Sequence, residues 1–408
     1  DHGMEAGYRD IDLPLCRVLA QMEHAGIAVD RDTLTAFGAM LSQRIADCES
    51  LIYGYANGPF NINSTKQLGT LLFETLGLPH GKKTKSGYST NIDVLEGLRD
   101  KHPIIPAIMD YRMLTKLHST YAEGLLKVIG PDGRIHSTFQ NMVTATGRLS
   151  STDPNLQNIP VRTELGGEIR KMFVPAPGHV LVDADYSQIE LRVLAHIADD
   201  QAMQEAFRSG EDFHTLTAAT VFGVAPEDVT PQMRRSAKAV NFGIVYGISD
   251  FSLAGDIGVS RKEAKAYIDG YLDHYQGVRE YMKTVVEQAR ETGYVETLYG
   301  RRRALPELHS SNYNVRTGAE RMALNTPIQG TAADIIKLAM IRVQRRMEQE
   351  GLEARLVLQV HDELIVECPE AEEAQVLTLV TEEMQAAADL KVPLVAEAHA
   401  GKNWYAAK

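Results

Sequence analysis

The order of apolar and polar positions predicts helices along most of this chain, interrupted by short apolar runs with the character of strands. One such run, residues 180–184, leads into Asp185, and a helical pattern follows from Ser187. A carboxylate at the end of a buried strand is held rigidly at the edge of a sheet, which suits a metal ligand. A turn followed by a capping box of Ser187 and Glu190 would explain the same residues. This stretch alone leaves both interpretations open.

A second stretch, residues 355–367, consists of two apolar segments with His361, Asp362 and Glu363 between them. It predicts a β-hairpin with acidic residues at its tip. No structural requirement places two adjacent acids between such apolar strands. If Asp185 and Asp362 meet in the fold, they form an oxygen-ligand site suited to Mg²⁺.

A third pattern is a helix that begins at Thr230-Pro231, with threonine as the N-cap and proline in the first turn. Arg234, Lys238 and Phe242 follow at intervals of four residues and form a stripe on one face. Two cations one turn apart can hold a triphosphate, and the aromatic ring can stack on the nucleoside. A surface helix with exposed bases explains neither the aromatic residue nor the two glycines that follow.

Polar and basic segments indicate further contacts with an extended anion. Residues 144–160 have too little apolar content for a core and have the donors to line a groove, with Arg148 placed to reach a primer base or phosphate. The basic loop 80–87 suits a phosphate backbone, and so does the basic turn 299–303. Each basic cluster, taken alone, is more often a solvated surface than a phosphate contact.

Composition and charge change this interpretation little. The chain has 408 residues, of which 44% are hydrophobic and 24% charged, which is typical of globular proteins with two or three domains. The net charge of −12 argues mildly against nucleic acid, but acids are concentrated near the C-terminus while bases form local clusters. The cysteines Cys16, Cys48 and Cys368 have no CxxC spacing, which favours a reducing compartment over a zinc or disulfide site.

Four segments resemble the motifs of family A DNA polymerases. Along the chain they are residues 144–160, DYSQIELR at 185–192, the helix from Pro231 and VHDE at 360–363. The resemblance covers roughly residues 10–405, is looser before residue 130, and is to the polymerase module of the large-fragment type. It implies an α+β fold: a right-hand polymerase with an antiparallel-sheet palm, a helical thumb and helical fingers. The implied segments are palm entry (1–30), thumb (31–130), palm (131–192), fingers (193–310) and palm again (311–408).

The same resemblance implies template-directed DNA synthesis and a role for each matched residue. Asp185, Asp362, Glu363 and Lys238 are the implied catalytic residues, with Lys238 as general acid because lysine can release a proton and arginine effectively cannot. Asp185, Asp362 and the backbone carbonyl of Tyr186 are the implied ligands of two Mg²⁺ ions, with Mn²⁺ as a substitute. The implied dNTP-binding residues are Gln188, Glu190, His214, Arg234, Lys238, Phe242 and Tyr246. The implied DNA-binding residues are Lys82, Lys83, Lys85, Arg148, Gln157, Arg162, Arg321, Asn325, Gln329 and His361.

Three expectations about specificity and partners follow from the resemblance. Glu190 and Tyr246 resemble a ribose gate and predict a preference for deoxyribonucleotides, while Phe242 predicts discrimination against dideoxynucleotides. The expected partners are primer–template DNA and dNTPs, for a cytoplasmic, nucleoid-associated monomer without membrane contact. We also expect no proofreading exonuclease in this chain, because no second acidic cluster resembles one.

Three other functions remain open on the sequence. A related single-subunit polymerase that makes RNA is disfavoured by Glu190. A primer–template binding module without catalysis is disfavoured by the presence of both Asp185 and Asp362. A two-metal nuclease leaves the stripe of Arg234, Lys238 and Phe242 unexplained.

Overall fold

The computed structural model describes residues 3–81, 83, 87–160 and 163–408. Its helices are α1 (Glu5–Gly7), α2 (Leu13–Ala25), α3 (Arg31–Ala56), α4 (Thr65–Gly69), α5 (Ile92–Glu96), α6 (Ile104–Leu117), α7 (Gly124–Val128), α8 (Glu164–Lys171), α9 (Ile189–Ile197), α10 (Gln201–Arg208), α11 (Phe213–Phe222), α12 (Pro231–Val245), α13 (Asp250–Ile257), α14 (Arg261–His274), α15 (Gln276–Thr292), α16 (Tyr313–Gln349) and α17 (Glu373–Gln385). Its strands are β1 (Ile27–Val29), β2 (Arg134–Ile135), β3 (Thr138–Gln140), β4 (Ser150–Thr152), β5 (Phe173–Val174), β6 (His179–Tyr186), β7 (Tyr294–Glu296), β8 (Arg302–Ala304), β9 (Arg355–Val360), β10 (Glu363–Pro369) and β11 (Ala396–Gly401).

The chain folds into two compact units. The first comprises residues 1–27, 137–158 and 174–408, and the second comprises residues 28–136 and 159–173. These units do not test the five predicted segments, which remain predictions. Within the described residues, no helix has the length and apolarity needed to cross a membrane.

The second unit is mostly helical. Its α3 begins at Asp30, whose side chain accepts a hydrogen bond from the backbone N–H of Thr33, and ends where Asn57 adopts a left-handed conformation. Apolar side chains of α3 and α6 pack with those of the short helices between them, among them Ile52, Leu72 and Ile108, which are fully buried. This core is local in sequence, since its buried residues lie between Ile52 and Tyr111.

The first unit contains an antiparallel sheet of four strands in the order β11-β6-β10-β9. Strand β6 is almost wholly buried between its two neighbours, which explains its continuous apolar run. The register of β6 and β10 pairs Glu363 with Asp185. Because Asp362 directly precedes β10, the tip of the β9–β10 hairpin lies beside the C-terminal end of β6. The sheet therefore brings Asp185 and Asp362 together, although they lie far apart in the sequence.

The chain leaves β6 through an unusual backbone conformation. Gln188 has φ 54° and precedes α9, which begins at Ile189. We expected the helix to begin at Ser187, and that prediction is wrong by two residues. The alternative of a capping box is also wrong, because the N-terminus of α9 has no side-chain cap. Glu190 therefore takes no part in a capping box, and its side chain can contact other parts of the unit.

Helix α12 forms as predicted. Thr230 caps α12 by accepting a hydrogen bond from the N–H of Met233, with Pro231 in the first turn. Helix α16 continues through Pro327 for 37 residues, and the segment around that proline is buried. At the end of α12, Gly247 has φ 65° and packs against Arg321 of α16, at a distance of 3.2 Å from the position that a β-carbon would occupy. Only glycine fits this combination of conformation and contact without strain.

Candidate active site

Asp185 and Asp362 are neighbours at the edge of the four-stranded sheet. The backbone N–H of Tyr186 donates to the carbonyl oxygen of Asp362 at 3.2 Å, which fixes the hairpin tip against β6. One carboxylate oxygen of Asp362, Oδ1, is buried and has no hydrogen-bond partner among the described residues. Burial raises the pKa of Asp362 to about 6, and the negative charges of Glu190 and Asp185 contribute to that rise.

The side chain of Asp185 is exposed, yet the protein atoms around it still raise its pKa by desolvation. Lys408 opposes this rise, and Glu397, paired with Asp185 from the other neighbouring strand, adds to it. Because the pKa of both carboxyl groups is raised, a bound cation would stabilise their charged forms. Oxygen ligands of this type fit a hard divalent ion such as Mg²⁺.

The protein supplies only part of a coordination sphere. No group of three or more histidine, cysteine, aspartate or glutamate side chains is close enough to hold a metal within the described residues. Tyr186, implied to add a backbone ligand, is buried and donates its phenol hydroxyl to the carbonyl of Met384 at 2.5 Å. A Mg²⁺ ion at Asp185 and Asp362 would therefore take its remaining ligands from water or substrate.

Glu363 and His361 flank Asp362 and differ in environment. Glu363 is 3% exposed and its Oε1 is paired with Lys408. Its Oε2 is buried and has no hydrogen-bond partner in the part of the chain that the structure describes. His361 is exposed, with φ 53° at the hairpin tip. The side chain of Gln359 donates to the carbonyl of His361 at 2.5 Å, which stabilises this turn.

Glu190 connects three parts of the site. Its Oε1 accepts a hydrogen bond from Arg148 Nη2 at 2.5 Å, and its Oε2 accepts one from the hydroxyl of Tyr246 at 3.1 Å. Burial, followed by the charge of Glu190, raises the pKa of Tyr246 to about 12, so its hydroxyl remains protonated and donates. The geometry thus links the loop with Arg148, helix α9 and the end of α12, and each of these residues was a predicted site residue.

Arg234, Lys238 and Phe242 lie in one helix, α12, at intervals of four residues, as predicted. Arg234 and Lys238 are exposed, and Phe242 is half-buried. The Nζ of Lys238 lies 6.0 Å from the centroid of the Phe242 ring, and the ring of His214 lies 5.7 Å from it on the other helix. Helices α11 and α12 therefore bring His214, which sequence spacing could not place, to the same face as the two cations.

His214 is buried and is held by a residue that the sequence did not identify. The side-chain amide of Asn241, itself fully buried, lies 2.9 Å from Nδ1 of His214. Burial lowers the pKa of His214 to about 4, with the cations Arg234 and Lys238 acting in the same direction. The imidazole is therefore neutral near pH 7.

Arg234 makes a bidentate ion pair with Asp212. Its Nε and Nη2 donate to the two carboxylate oxygens at 2.8 and 2.9 Å. Asp212 also caps α11 by accepting from the N–H of Thr215 at 2.8 Å. The hydrogen bonds from Arg234 hold the pKa of Asp212 well below its usual range.

Other predicted DNA contacts lie near the carboxylates or on α16. Gln157 donates to the carbonyl of Gln359 at 3.1 Å and lines one pocket together with Arg148 and His361. On α16, Arg321 is exposed and Asn325 and Gln329 are half-buried. The side chain of Asn325 donates to the carbonyl of Val245 at 3.4 Å, which joins this row to the end of α12.

For five of the predicted site residues, a role at this site stays a prediction. Lys83 belongs to the second unit, where it pairs with Glu74 at 3.3 Å and lies 4.4 Å from the Tyr88 ring. Lys82, Lys85 and Arg162 lie outside the described residues. Gln188 is half-buried at the turn between β6 and α9, and its predicted nucleotide contact stays a prediction.

Within the basic turn at 299–303, Arg301 contacts other charged side chains of the first unit, and the expected phosphate contact of the turn stays a prediction. Arg301 donates to Asp12 at 2.9 and 3.1 Å and to Asp334 at 2.9 Å. Lys337, only 1% exposed, completes the group by donating to Asp12 at 3.2 Å. Asp12, Asp334 and Lys337 are buried and Arg301 is half-buried, so the interpretation of Arg301 as a fully solvated surface cation is wrong.

Three further residues at the site were missed by the sequence analysis: Asp212, Asn241 and Gln359. A signal existed for two of them, since Asp212 precedes a helix as an N-cap would and Gln359 is a polar residue within an apolar strand. Asn241 lies on the buried side of the α12 stripe, where only the packing of α11 gives it a partner.

Comparison with known proteins gives the following relationships. The family described as DNA polymerase family A matches residues 31–406. The DNA polymerase I of Caldicellulosiruptor bescii is 54% identical over 402 residues, which are 98% of this chain and 47% of that protein. The DNA polymerase I of Bacillus subtilis is also 54% identical, over 403 residues that cover 98% of this chain and 46% of that protein. The chain spans about half the length of these relatives.

A solved structure is similar over nearly the whole chain. It is the POL domain of Pol1 from M. smegmatis in complex with DNA primer-template and dNTP. The two folds agree with a TM-score of 0.92 and 47% sequence identity, over 97% of this chain and 70% of that chain.

Proposed function

Because this chain belongs to family A of the DNA polymerases, we propose that it extends the 3′-hydroxyl of a DNA primer with dNTPs, as directed by a template, and releases pyrophosphate. The membership predicted from the motifs is confirmed, and so is the α+β fold of a right-hand polymerase. The observation that supports the activity best is the register of β6 and β10, which sets Asp362 beside Asp185 next to Glu190.

Family A polymerases use divalent metal ions, and the oxygen ligands of this site fit them. Asp185 and Asp362 would hold Mg²⁺. The buried Oδ1 of Asp362, which has no hydrogen-bond partner within the described residues, supports this assignment. When two ions are bound, they lower the pKa of the primer hydroxyl and neutralise the triphosphate and the leaving pyrophosphate. The carboxylates orient the primer terminus and the α-phosphate toward each other, and Glu363, paired with Lys408, supports the hairpin that holds Asp362.

The face of α12 would bind the incoming nucleotide. Arg234 and Lys238 neutralise the triphosphate, and His214 donates a hydrogen bond to it. Lys238 gives a proton to the leaving pyrophosphate, since an exposed lysine can lose one and an arginine effectively cannot. The ring of Phe242 stacks on the nucleoside.

Glu190 and Tyr246 would select the sugar. Their hydrogen bond at 3.1 Å closes the space beside the sugar, so that a ribonucleotide 2′-hydroxyl would clash with Glu190 or displace Tyr246. Leaving a buried carboxylate without its partner is costly. We therefore expect deoxyribonucleotides to be preferred.

The DNA itself would lie along Arg148, Gln157, His361 and the row of Arg321, Asn325 and Gln329. Donors in such a row can reach the minor-groove acceptors that every base pair presents, so they test pairing geometry without reading sequence. Primer–template DNA as partner, a monomeric state and a cytoplasmic location stay predictions for this chain.

The decisive experiment is extension of a labelled primer on a template with Mg²⁺ and four dNTPs. Asp185→Asn and Asp362→Asn should each abolish extension while leaving DNA binding intact. Glu397→Gln is the matched control, because this exposed carboxylate lies opposite Asp185 in the same sheet. Template-directed lengthening that is lost in both variants and kept in the control supports the proposal.

Each competing function predicts another outcome in this assay. DNA binding without lengthening by the unmodified protein would indicate a binding module. Shortening of the substrate would indicate a nuclease. Equal use of ribonucleotides and deoxyribonucleotides would indicate an RNA-making relative and would contradict the role of Glu190.

Metal binding can be measured without turnover. With a primer that lacks a 3′-hydroxyl and a non-hydrolysable dNTP, calorimetry should detect Mg²⁺ binding that Asp362→Asn weakens at least roughly tenfold, as loss of a buried carboxylate ligand implies. Unchanged binding in this variant would show that Asp362 does not hold the ion.

A further inference from the structure

Behind His214 lies a buried series of hydrogen-bonding groups on α11, α12 and the residue that precedes α15. The amide of Asn241 bridges two residues of α11: its Nδ2 lies 2.9 Å from His214 Nδ1, and its Oδ1 lies 3.2 Å from Thr217 Oγ1. The hydroxyl of Tyr275 lies 3.4 Å from the same Thr217 oxygen. Asn241 and Thr217 are both fully buried, and Tyr275 is 1% exposed, so water does not compete for these groups.

The direction of these hydrogen bonds determines which nitrogen of His214 carries the proton. If Thr217 donates to Asn241 Oδ1, the amide must turn its NH₂ group toward His214. An NH₂ group can only donate, so Nδ1 must then accept and the proton of the neutral imidazole must lie on Nε2. Tyr275 can donate to Thr217, which leaves the threonine hydroxyl free to donate onward to Asn241.

The opposite arrangement is self-consistent but chemically unsuited to the proposed substrate. Thr217 would then donate to the carbonyl of Phe213, 3.0 Å away, and the flipped amide would accept from Nδ1–H. The carbonyl of Phe213, which already accepts the backbone hydrogen bond of the helix, would then accept a second one. Asn241 Oδ1 would accept its hydrogen bond from His214. In this arrangement Nε2 would present a lone pair to a triphosphate, and two electron-rich groups repel each other.

We propose that Asn241, oriented by Thr217, is a positioning residue that keeps His214 as the Nε2–H tautomer, so that this nitrogen donates to the triphosphate. The proposal rests on the proposed function, because it assigns the triphosphate as the partner of Nε2. Among the described residues, no hydrogen bond engages Nε2, whereas Nδ1 is engaged by Asn241. The neutral state of the ring agrees with this role, since a neutral imidazole donates from one nitrogen only.

The tautomer can be measured directly by ¹⁵N NMR of histidine-labelled protein, with His214→Gln used to assign the signal. At pH 8 the unmodified protein should show His214 protonated on Nε2 alone. Asn241→Asp should move the proton to Nδ1, because a carboxylate can only accept. Thr217→Val should produce both tautomers by removing the donor that orients the amide, and Thr217→Ser should retain the original one. Protonation of Nδ1 in the unmodified protein would overturn the proposal.

A kinetic cycle distinguishes positioning from a purely structural role. Asn241→Asp should raise the KM for dNTP roughly tenfold or more with a smaller effect on kcat, as loss of a hydrogen bond to a charged group implies. In a His214→Ala background the same substitution should have little further effect on KM. Equal effects in both backgrounds would show that Asn241 acts through folding alone and would contradict the proposal.

The two parts of the experiment fail separately. The NMR measurement needs no nucleotide and no activity, so it tests the tautomer even if primer extension is absent. Absence of extension by the unmodified protein would reject the proposed function, whereas extension with an Nδ1–H tautomer would reject only the role of Asn241. Thermal unfolding of each variant ensures that folded protein is compared.

Discussion

Replacing Asp212 with asparagine removes one negative charge beside α12 and leaves the start of α11 in place. Asp212 accepts two hydrogen bonds from Arg234 and caps α11 through the N–H of Thr215. Asparagine is as good an N-cap as aspartate, so Asp212→Asn keeps the cap and loses the charge. Asp212→Ala loses both, and comparison of the two variants separates the ion pair from the cap.

The size of the effect follows from the exposure of the pair. The side chains of Arg234 and Asp212 are 45% and 37% exposed, and ion pairs of such exposure contribute about 0.2–1 kcal/mol. If the triphosphate must take Arg234 from Asp212, removal of the carboxylate charge should lower the KM for dNTP by up to about fivefold. The effect should decrease with added salt, because the screening length falls from about 10 Å at 0.1 M to about 3 Å at 1 M.

The assay is single-nucleotide incorporation under steady-state conditions, with Arg234→Ala as the opposite control. The KM should fall in Asp212→Asn and rise in Arg234→Ala. Asp212→Ala should also cost about 1 kcal/mol of stability through loss of the cap, visible as a lower unfolding midpoint. A higher KM in Asp212→Asn would mean that the carboxylate holds Arg234 in its binding position, and the exchange of partners would be refuted.

Three further predictions concern the sugar, the pH dependence and the buried charges. Phe242→Tyr should raise dideoxynucleotide use roughly tenfold in competition with dNTPs, since the added hydroxyl supplies a polar partner near the sugar; an unchanged ratio would contradict this. The pKa of His214 is lowered to about 4 in the folded protein. As the pH falls, this histidine is therefore protonated in the unfolded chain before it is protonated in the folded protein. Stability to urea should therefore fall by roughly 1–3 kcal/mol as pH decreases from about 6.5 to 4, and His214→Gln should lose this dependence. Asp12→Ala should cost about 3–5 kcal/mol because it leaves Lys337 buried without its partner, whereas Glu348→Ala, at an exposed pair, should cost under about 1 kcal/mol in the same urea titration.

The local features of the site could be predicted from sequence because short-range physics determines them. Thr230-Pro231 starts a helix wherever it precedes a periodic pattern, and a spacing of four residues places Arg234, Lys238 and Phe242 on one face in any helix. The apolar run into Asp185 predicts a buried strand for the same reason. These features depend on neighbours within a few residues, and the structure places each where the pattern predicted it.

The contacts between distant segments could not be predicted from pattern alone. The pairing of Asp362 with the end of β6 depends on a register between strands far apart in sequence. Arg301 reads as a surface base, yet Asp12 and Asp334 from two other segments surround it. The start of α9 was misplaced because Gln188 adopts a positive φ that its residue type only weakly favours. In each case the packing of the whole unit overrides the local preference.

Three of the groups that we propose to bind substrate share one property: each already forms a hydrogen bond with another side chain of the protein. Arg148 is held by Glu190, Arg234 by Asp212 and His214 by Asn241. At Arg234, substrate binding then exchanges one ion pair for another, which releases little net free energy because both side chains of the pair with Asp212 are partly exposed. Such an arrangement gains orientation instead, because the side chains are ordered before the substrate arrives. Selectivity for the correct nucleotide would accordingly depend on whether its geometry allows all of these exchanges at once, and a misplaced triphosphate would leave Arg234 with Asp212.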